Sequence, residues 1–414
     1  MKIALIESKL NGRGGSQRQA IGYARAFQQL GHEVTLYTIH YDKEKCFSDM
    51  LDGLRVVALP GGFQTPHPMA IPGFGFLNYM RYSRAESNAA RRLASLIDRD
   101  TDILNAHDRV GFRVAVFYKR FMRNIPSVIM MSDILTKSWT AWRKEQFDPT
   151  LKRSLQRRFY YWLIDTYEIR KFITPHEGMT VLDNRTRNWA RDYFGAQAIV
   201  VRSGLDIKNF LFIPRDGCAS KRVRVLVAGI FFLHRRYEDV VQAIKLVVDQ
   251  GYDATLSIVG NYTSAYEYRE YQKRLGQLAE NLGLKTRVTF YGEVSEEDLR
   301  KSYHTHDIYV SPNHLQSWGL AVFEAMASGL PVIVSKTAGA SEILTNGEHA
   351  LIVDPKSPEQ IADAIKRLTN DPQLYVKMAR AGRKLTEEQV SWEHCAKKTL
   401  AVFENVMSGN RPVP

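Results

Sequence analysis

The feature that most constrains this chain is an alternation running almost end to end, in which short β-branched runs give way to longer stretches of helical periodicity. Strands joined by helices lie parallel and are covered on both faces, so the pattern predicts an α/β architecture. In the first half the expected strands are Lys2–Ile6, Glu33–Tyr37, Asp102–Ala106, Ser127–Met130, Phe172–Thr174 and Ala198–Val201. A helix over Ser16–Gln29 puts Ala20, Tyr23, Ala24 and Phe27 on one face, and Gly31 stops it. The second half repeats the pattern with strands Arg222–Ala228, Ala254–Val259, Arg287–Tyr291, Asp307–Val310, Pro331–Val334 and Ala350–Val353. Helices are expected at Tyr237–Asp249, Tyr266–Asn281, Trp318–Ser328, Pro358–Leu368 and Trp392–Met407. Between the halves, Phe210 to Lys221 holds Pro214, Asp216, Gly217 and Ser220 without periodicity. The expected division is therefore a domain over 1–210, a linker over 211–221 and a domain over 222–391, with the helix at 392–407 open to packing on either.

At 414 residues the chain has room for two or three domains, and 57 Lys and Arg against 44 Asp and Glu leave a net charge of +13. That balance favours an anionic partner: a phosphorylated small molecule, an acidic membrane or nucleic acid. No nucleic-acid-binding module accompanies the charge, so nucleic acid is not expected. Cys46, Cys218 and Cys395 are too far apart for a metal knuckle or a redox pair, which fits a reducing cytoplasm. The first strand reaches Glu7 after too few apolar residues for a signal peptide. No window nears the roughly 20 unbroken apolar residues of a spanning helix. The closest, Pro68 to Met80, is broken by Pro72, Gly73 and Gly75, so any membrane contact is expected to be peripheral.

Three strand-to-helix junctions carry candidate chemistry. The first strand enters a loop with Gly14 and Gly15 and then a helix, whose N-terminal N–H groups and dipole can meet an anion. The loop lacks the Gly-Lys-Ser/Thr of a P-loop and the spacing of the dinucleotide fingerprint. At the second junction Gly229 is followed by Arg235 and Arg236, cations able to grip a diphosphate, although a bare Arg pair often only solvates a helix start. The third, Ser311 to Val334, ends a strand in a Pro/Asn/Ser loop and opens a helix at Gly319 with Glu324 in its second turn. A carboxylate there can accept two hydrogen bonds from a ribose diol while the N–H groups of Gly319, Leu320 and Ala321 meet phosphate. Burying Glu324 in an Ala/Met/Phe-rich helix without such a partner is costly, which favours a functional role.

This third stretch closely resembles the signature of the retaining glycosyltransferases of family 4. Gly14-Gly15, Gly31-His32-Glu33-Val34, the strand running to Gly292, Glu324-Ala325-Met326-Ala327 and Ala338-Gly339-Ala340-Ser341-Glu342 extend the likeness over nearly the whole chain. The resemblance implies the GT-B fold, two Rossmann-like domains around a ligand cleft, with the N-terminal domain taking the acceptor and the C-terminal one a nucleotide diphosphate sugar. It implies donor contacts at Gly14, Gly15, Gly229, Gly292, Glu293, Trp318, Gly319, Leu320, Ala321 and Glu324. The family holds its donor with a Glu, seven residues and a second Glu; Glu324 matches the second, and Gln316 stands at the first. The family's Arg after the phosphate-loop glycine is replaced by Ile230, its Lys is matched by Arg235, and Arg236 offers a second cation. His107, at a strand's carboxyl end, matches a His that contacts the donor sugar; without the likeness it reads as a satisfied loop histidine.

Thr38 to Phe47 and Asp133 to Lys137 resemble segments of mannosyltransferases that extend lipid-linked oligosaccharides, which implies a GDP-mannose donor; a UDP-sugar is the other option. Asp98-Arg99-Asp100 and Asp100-Thr101-Asp102 match the Asp-x-Asp metal motif formally, but their place before a strand reads as turn and cap. No metal or cofactor is expected, the arginines neutralising the diphosphate instead. Leu151 to Ile164 mixes cations with aromatics on a helix, which suits either an anionic bilayer or a core helix with a solvated basic face. Acceptor contacts are expected in the loops 61–76 and 136–149. The reading is a retaining, metal-independent hexosyltransferase of the cytoplasm acting on a glycan or lipid-linked glycan, with the cytoplasmic face of a membrane as the alternative location. A GT-B epimerase, a phosphorylase or a non-catalytic sugar-nucleotide-binding subunit are the alternatives, the last motivated by Gln316 and Ile230.

Overall fold

In the computed structural model the described residues are 1–62, 76–147, 152–218, 221–260 and 266–409. Most of the 61–76 loop, the end of the 136–149 loop, Ser220, and Leu151 of the aromatic basic stretch lie outside them, as does most of the apolar window at 68–80. The chain divides into two units, one built from Met1–Thr140, Arg153–Gly204 and Trp392–Pro414, the other from Ala141–Lys152 and Leu205–Ser391.

The strands of the N-terminal unit are β1 Lys2–Ile6, β2 Lys9–Leu10, β3 Glu33–Thr38, β4 His40–Tyr41, β5 Arg55–Ala58, β6 Ile103–Ala106, β7 Ser127–Met131, β8 Gly178–Val181 and β9 Ala198–Val200. Seven of them form one parallel sheet in the order β5-β3-β1-β6-β7-β8-β9, and β2 pairs separately with β4. The other unit holds β10 Arg222–Ala228, β11 Asp253–Val259, β12 Val288–Gly292, β13 Ile308–Ser311, β14 Val332–Ser335 and β15 Leu351–Val353, ordered β12-β11-β10-β13-β14-β15. In both sheets the first strand is central and the order reverses beside it. Such a switch point leaves a crevice at the strands' carboxyl ends, so the residues following β1 and β6, and those following β10 and β13, are where a ligand is expected to sit.

Burial on both faces explains the apolar strands. In the second unit Val223, Val225 and Val227 of β10 pack with Val240, Ile244 and Val247 of helix Tyr237–Asp249, each with no exposure. Each such side chain contributes about 1.5–3 kcal/mol on burial. In the first unit the helix Gly15–Gln29 buries Ala20, Tyr23, Ala24 and Phe27, the face read from the sequence. Among the described residues no helix is long and apolar enough to cross a membrane.

Several elements differ from expectation, and three of them are informative. Phe172 and Ile173 belong to a π-helical turn, Ile169–Ile173, that prolongs helix Leu155–Glu168 and buries them against the sheet; the strand begins only after Pro175, at Gly178. The edge strand β5 is only a short apolar run, Val56 to Ala58, half-buried behind an exposed Arg55, and was not expected. Helix Pro372–Gln389 was missed although Asp371, whose side chain accepts from the Leu374 N–H at 2.9 Å, and Pro372 are a standard helix opening.

The helix Trp392–Met407 packs in the N-terminal unit. Its Trp392 ring lies against the bare Cα of Gly22, where a Cβ would overlap the indole, and stacks edge-on with Tyr23 at 5.6 Å. Gly22→Ala is expected to displace Trp392 and to lower stability by about 1–3 kcal/mol, read as a fall in denaturant midpoint and earlier proteolysis near 392; an unchanged midpoint would show that the indole moves at no cost.

Candidate active site

The second unit's switch point is built on backbone proximity. Gly229 follows β10 with φ +145°, and Gly260 follows β11; a Cβ on Gly260 would fall inside the Gly229 carbonyl oxygen. Gly229 N–H donates to Val259 at 2.9 Å and Gly260 N–H to Gly292 at 2.9 Å, so the ends of three adjacent strands meet through glycines. Gly260 was not singled out from the sequence, because a single glycine after a strand is an ordinary turn signal. Glu293, the next residue after Gly292, is exposed.

From Gly229 the chain runs through a short 3-10 turn, Leu233–Arg235, into helix Tyr237–Asp249. The Arg235 guanidinium lies against Gly229, its Cζ 3.4 Å from where a Cβ would stand, and its buried Nε has no protein partner. Arg236 behaves differently. It sits in the left-handed region (φ +54°), turned onto its own helix, with its guanidinium 2.7 Å from Glu238 and forked onto Asp239. The two arginines therefore do not form a joint clamp: one cation is saturated by local carboxylates and the other is not.

The loop after β13 docks onto this one. The His314 N–H donates to the His234 carbonyl at 2.8 Å, and the His314 ring meets Thr337 at 3.0 Å. The Asn313 amide donates to Ser311 at 2.8 Å and to the Gln316 side-chain carbonyl, while the Gln316 backbone carbonyl accepts from Gly339 at 2.9 Å. Trp318, which had been expected within the helix, is buried in the loop and stacks on Phe323 at 4.5 Å. The helix itself is Leu320–Ala327, entered through Gly319 at φ +100°, a conformation a side chain would oppose. Gly319, Leu320 and Ala321 are its half-exposed residues and the rest of it is buried, so its unpaired first-turn N–H groups face the one open side. Glu324 is buried and accepts from the Tyr303 hydroxyl at 2.7 Å. The cost of burial that favoured a functional role for Glu324 is thus partly met by the protein itself, which supplies a hydroxyl donor.

The N-terminal switch point is polar and buried. Glu7 follows β1 and accepts from Ser16 at 2.8 Å. Asp108 caps the helix Arg109–Phe121 and accepts from the Ser8 N–H at 3.1 Å and from the Ser8 hydroxyl. Burial, and then repulsion from Asp108, pushes the Glu7 carboxyl well above the usual carboxylate range. Burial raises Asp108 as well, against its hydrogen bonds from Ser8 and Gly111. Sequence reading treated Glu7 only as the end of a strand. His107 lies beside them, its Nε2 2.7 Å from the Asn105 side-chain oxygen and its buried Nδ1 unpartnered. Burial lowers its pKa to about 3, so the ring is neutral, donates from Nε2 and keeps an acceptor lone pair on Nδ1. Gly14 caps helix Gly15–Gln29 in extended conformation, and a side chain at Gly15 would meet nothing, so the space above this helix start is open. The Asp-x-Asp carboxylates are used by the fold: Asp98 pairs with Arg55 at 2.6 Å, and Asp102 accepts from the Lys2 N–H at 2.7 Å.

Two family models match in tandem, "Glycosyltransferase Family 4" over residues 13–208 and "Glycosyl transferases group 1" over 213–385. The chain is a family 4 glycosyltransferase. It is 24% identical over 419 residues to a glycosyltransferase of Methanocaldococcus jannaschii, covering 98% of this chain and 99% of that one. It is 23% identical over 418 residues to the mannosylfructose-phosphate synthase of Agrobacterium fabrum, covering 94% and 86%. Among solved structures, Anabaena HepE in complex with UDP and glucose superposes with a TM-score of 0.71 at 18% identity, over 98% of this chain and 99% of that one, which shows the GT-B fold.

In this glycosyltransferase the neutral His107 has a consequence for pH. Its folded pKa lies below the ordinary 6.5, so the unfolded chain takes up the proton first: the stabilisation is complete above pH 6.5 and is lost as pH falls toward 3. Each pH unit in that window is worth about 1.4 kcal/mol for this ring. The denaturant midpoint is expected to fall from pH 7 to pH 5, and His107→Gln to flatten that fall; an equal slope in the variant would show that the ring is accessible to protons in the folded state.

Proposed function

We propose that this enzyme moves a hexosyl group from a nucleoside diphosphate sugar to a hydroxyl of a glycan or lipid-linked glycan, with retention of anomeric configuration and without a metal ion. The observation that carries the reading is Arg235, whose guanidinium lies against Gly229 with a buried Nε that no protein group satisfies. A diphosphate oxygen is the partner such a group needs. The first-turn N–H groups at Gly319, Leu320 and Ala321 supply further donors, Glu324 holds the ribose diol, and the Gln316 amide and His107 Nδ1 act on the sugar hydroxyls. Gln316 takes the Asn313 amide on its carbonyl and so offers its own NH2 as a donor.

As the bond from the anomeric carbon to the phosphate oxygen breaks, negative charge grows on the diphosphate, where Arg235 and the helix start are already oriented. The acceptor oxygen bonds to the anomeric carbon on the same face, and its proton passes to the departing phosphate oxygen. No protein nucleophile and no metal is required by this balance. Mannose is the preferred hexose, on the likeness of residues 38–47 and 133–137 to mannosyltransferases and the name of the Agrobacterium relative; the UDP and glucose bound to HepE make a UDP-sugar the alternative.

The test is a thermal-shift panel of GDP, UDP, ADP and their sugar conjugates in EDTA. A ligand at about 100 times its dissociation constant stabilises by roughly 2.7 kcal/mol. One base is expected to raise the melting midpoint, and Arg235→Ala to abolish the rise. Arg236→Ala should retain it while lowering the midpoint of the unliganded protein, since it strands Glu238 and Asp239 at a cost of about 1–3 kcal/mol. No shift with any nucleotide, or a shift lost in Arg236→Ala and kept in Arg235→Ala, would overturn the assignment.

Tyr303→Phe supplies a second check, because it removes a donor from a buried carboxylate. Weaker nucleotide binding with the same variant's loss of stability, about 1–3 kcal/mol, is expected; affinity equal to the parent's for the nucleotide would separate Glu324 from the ribose.

A further inference from the structure

The N-terminal unit carries a surface that the transfer chemistry does not use. Helix Leu155–Glu168 turns five large apolar side chains to solvent: Leu155 is 80% exposed, Phe159 61%, Trp162 56%, Leu163 47% and Tyr167 42%. At 3.6 residues per turn they share one arc of roughly 140°. Phe159 and Trp162 stack on each other at 5.7 Å. Scattered apolar residues need no explanation, but a contiguous aromatic stripe on one helix face marks a surface that meets something.

The exposed charges along this segment have one sign. Both acids of the helix are turned inward: Asp165 accepts from the N–H groups of Lys137 and Ser138 at 2.8 Å each, and Glu168 is bonded to Tyr79 and Arg113. The exposed charged residues from 155 to 171 are therefore Arg157, Arg158, Arg170 and Lys171. Beside Tyr167 opens a cavity of about 470 Å³ that Met80, Arg81, Arg84, Arg91 and Lys171 also line, with no carboxylate in its wall. Lys171 reaches the Tyr167 hydroxyl at 2.6 Å, so the cavity and the stripe are continuous.

We propose that this face docks on an anionic phospholipid bilayer, the stripe entering the interfacial layer and the cavity of Arg81, Arg84, Arg91 and Lys171 receiving a headgroup phosphate. Aromatic rings flanked by cations match the two layers of such an interface, apolar below and anionic above. A second copy of this chain would set like charges against one another. A nucleic acid would leave Leu155 and Leu163 facing sugar-phosphate. Docking requires neither donor nor acceptor, so its failure and the failure of the transferase reading are separately visible.

The full chain is mixed with phosphatidylcholine vesicles, with and without phosphatidylserine, and sedimented. Sedimentation is expected with phosphatidylserine only, weakening with added salt. Arg84→Ala and Arg91→Ala should each weaken it about fivefold. The pair Phe159→Ser with Trp162→Ser should abolish it while leaving the melting midpoint and the nucleotide-induced shift in place, since both side chains are exposed. Equal sedimentation with neutral vesicles, none with either, or no effect of the variants would overturn the proposal. So would a dimer in sedimentation velocity that Trp162→Ser dissociates, or saturable RNA binding lost in Arg84→Ala.

Discussion

The second switch point of this enzyme depends on how closely three parallel strands can bring their carboxyl ends together. Gly260 has no side chain because the Gly229 carbonyl occupies the place of its Cβ, and its N–H is held by Gly292 on the next strand. That contact sets the course of the loop leaving β10. The Tyr237 hydroxyl donates to the Gly229 carbonyl at 3.0 Å, and Arg235 lies alongside. The His234 carbonyl then receives the loop after β13, which brings Gln316 and the helix start at Gly319 into the same neighbourhood. A backbone constraint at strand ends thus sets the places of Arg235 and of the helix start at Gly319.

Ion pairing and hydrogen bonding show which charged groups the fold itself consumes. Arg236, Asp98, Asp102 and Asp165 all find partners within the protein, and Glu168 finds two for one of its oxygens. Arg113, fully buried, donates to Ser83 and Ser87 at 2.9–3.1 Å and pairs with Glu168, fastening helix Phe76–Ala94 to helix Arg109–Phe121. The buried polar atoms left over include Arg235 Nε in one unit and His107 Nδ1 in the other. Leaving such atoms unpaired costs stability, and Arg113 Nε and Arg215 Nε carry the same cost away from the switch points.

Much of the architecture was legible in the sequence because the sheets are buried on both faces. An apolar run such as Val225 to Ala228 has no other use, and a helix stripe such as Ala20, Tyr23, Ala24 and Phe27 has one face to hide. Legibility failed where that rule fails. The edge strand at Arg55–Ala58 is half solvated, and Phe172 and Ile173 are buried as the end of a helix, so their apolar pattern mimics a strand. In the site, glycines and candidate cations were visible as residue types, while the difference between Arg235 and Arg236 was not.

By itself the sequence determined the class of fold, most of its central strands and the family, because periodicity and residue type are local properties of the chain. Only the tertiary structure decided that Arg236 is spent on Glu238 and Asp239, that Tyr303 serves Glu324, that His107 is neutral beside the Glu7 and Asp108 carboxyls, and that helix Leu155–Glu168 shows its aromatic side to solvent. The physical reason is common to all four. Hydrogen bonding, desolvation and exposure depend on which side chains distant segments bring within a few ångströms of one another, and no spacing along the chain records that.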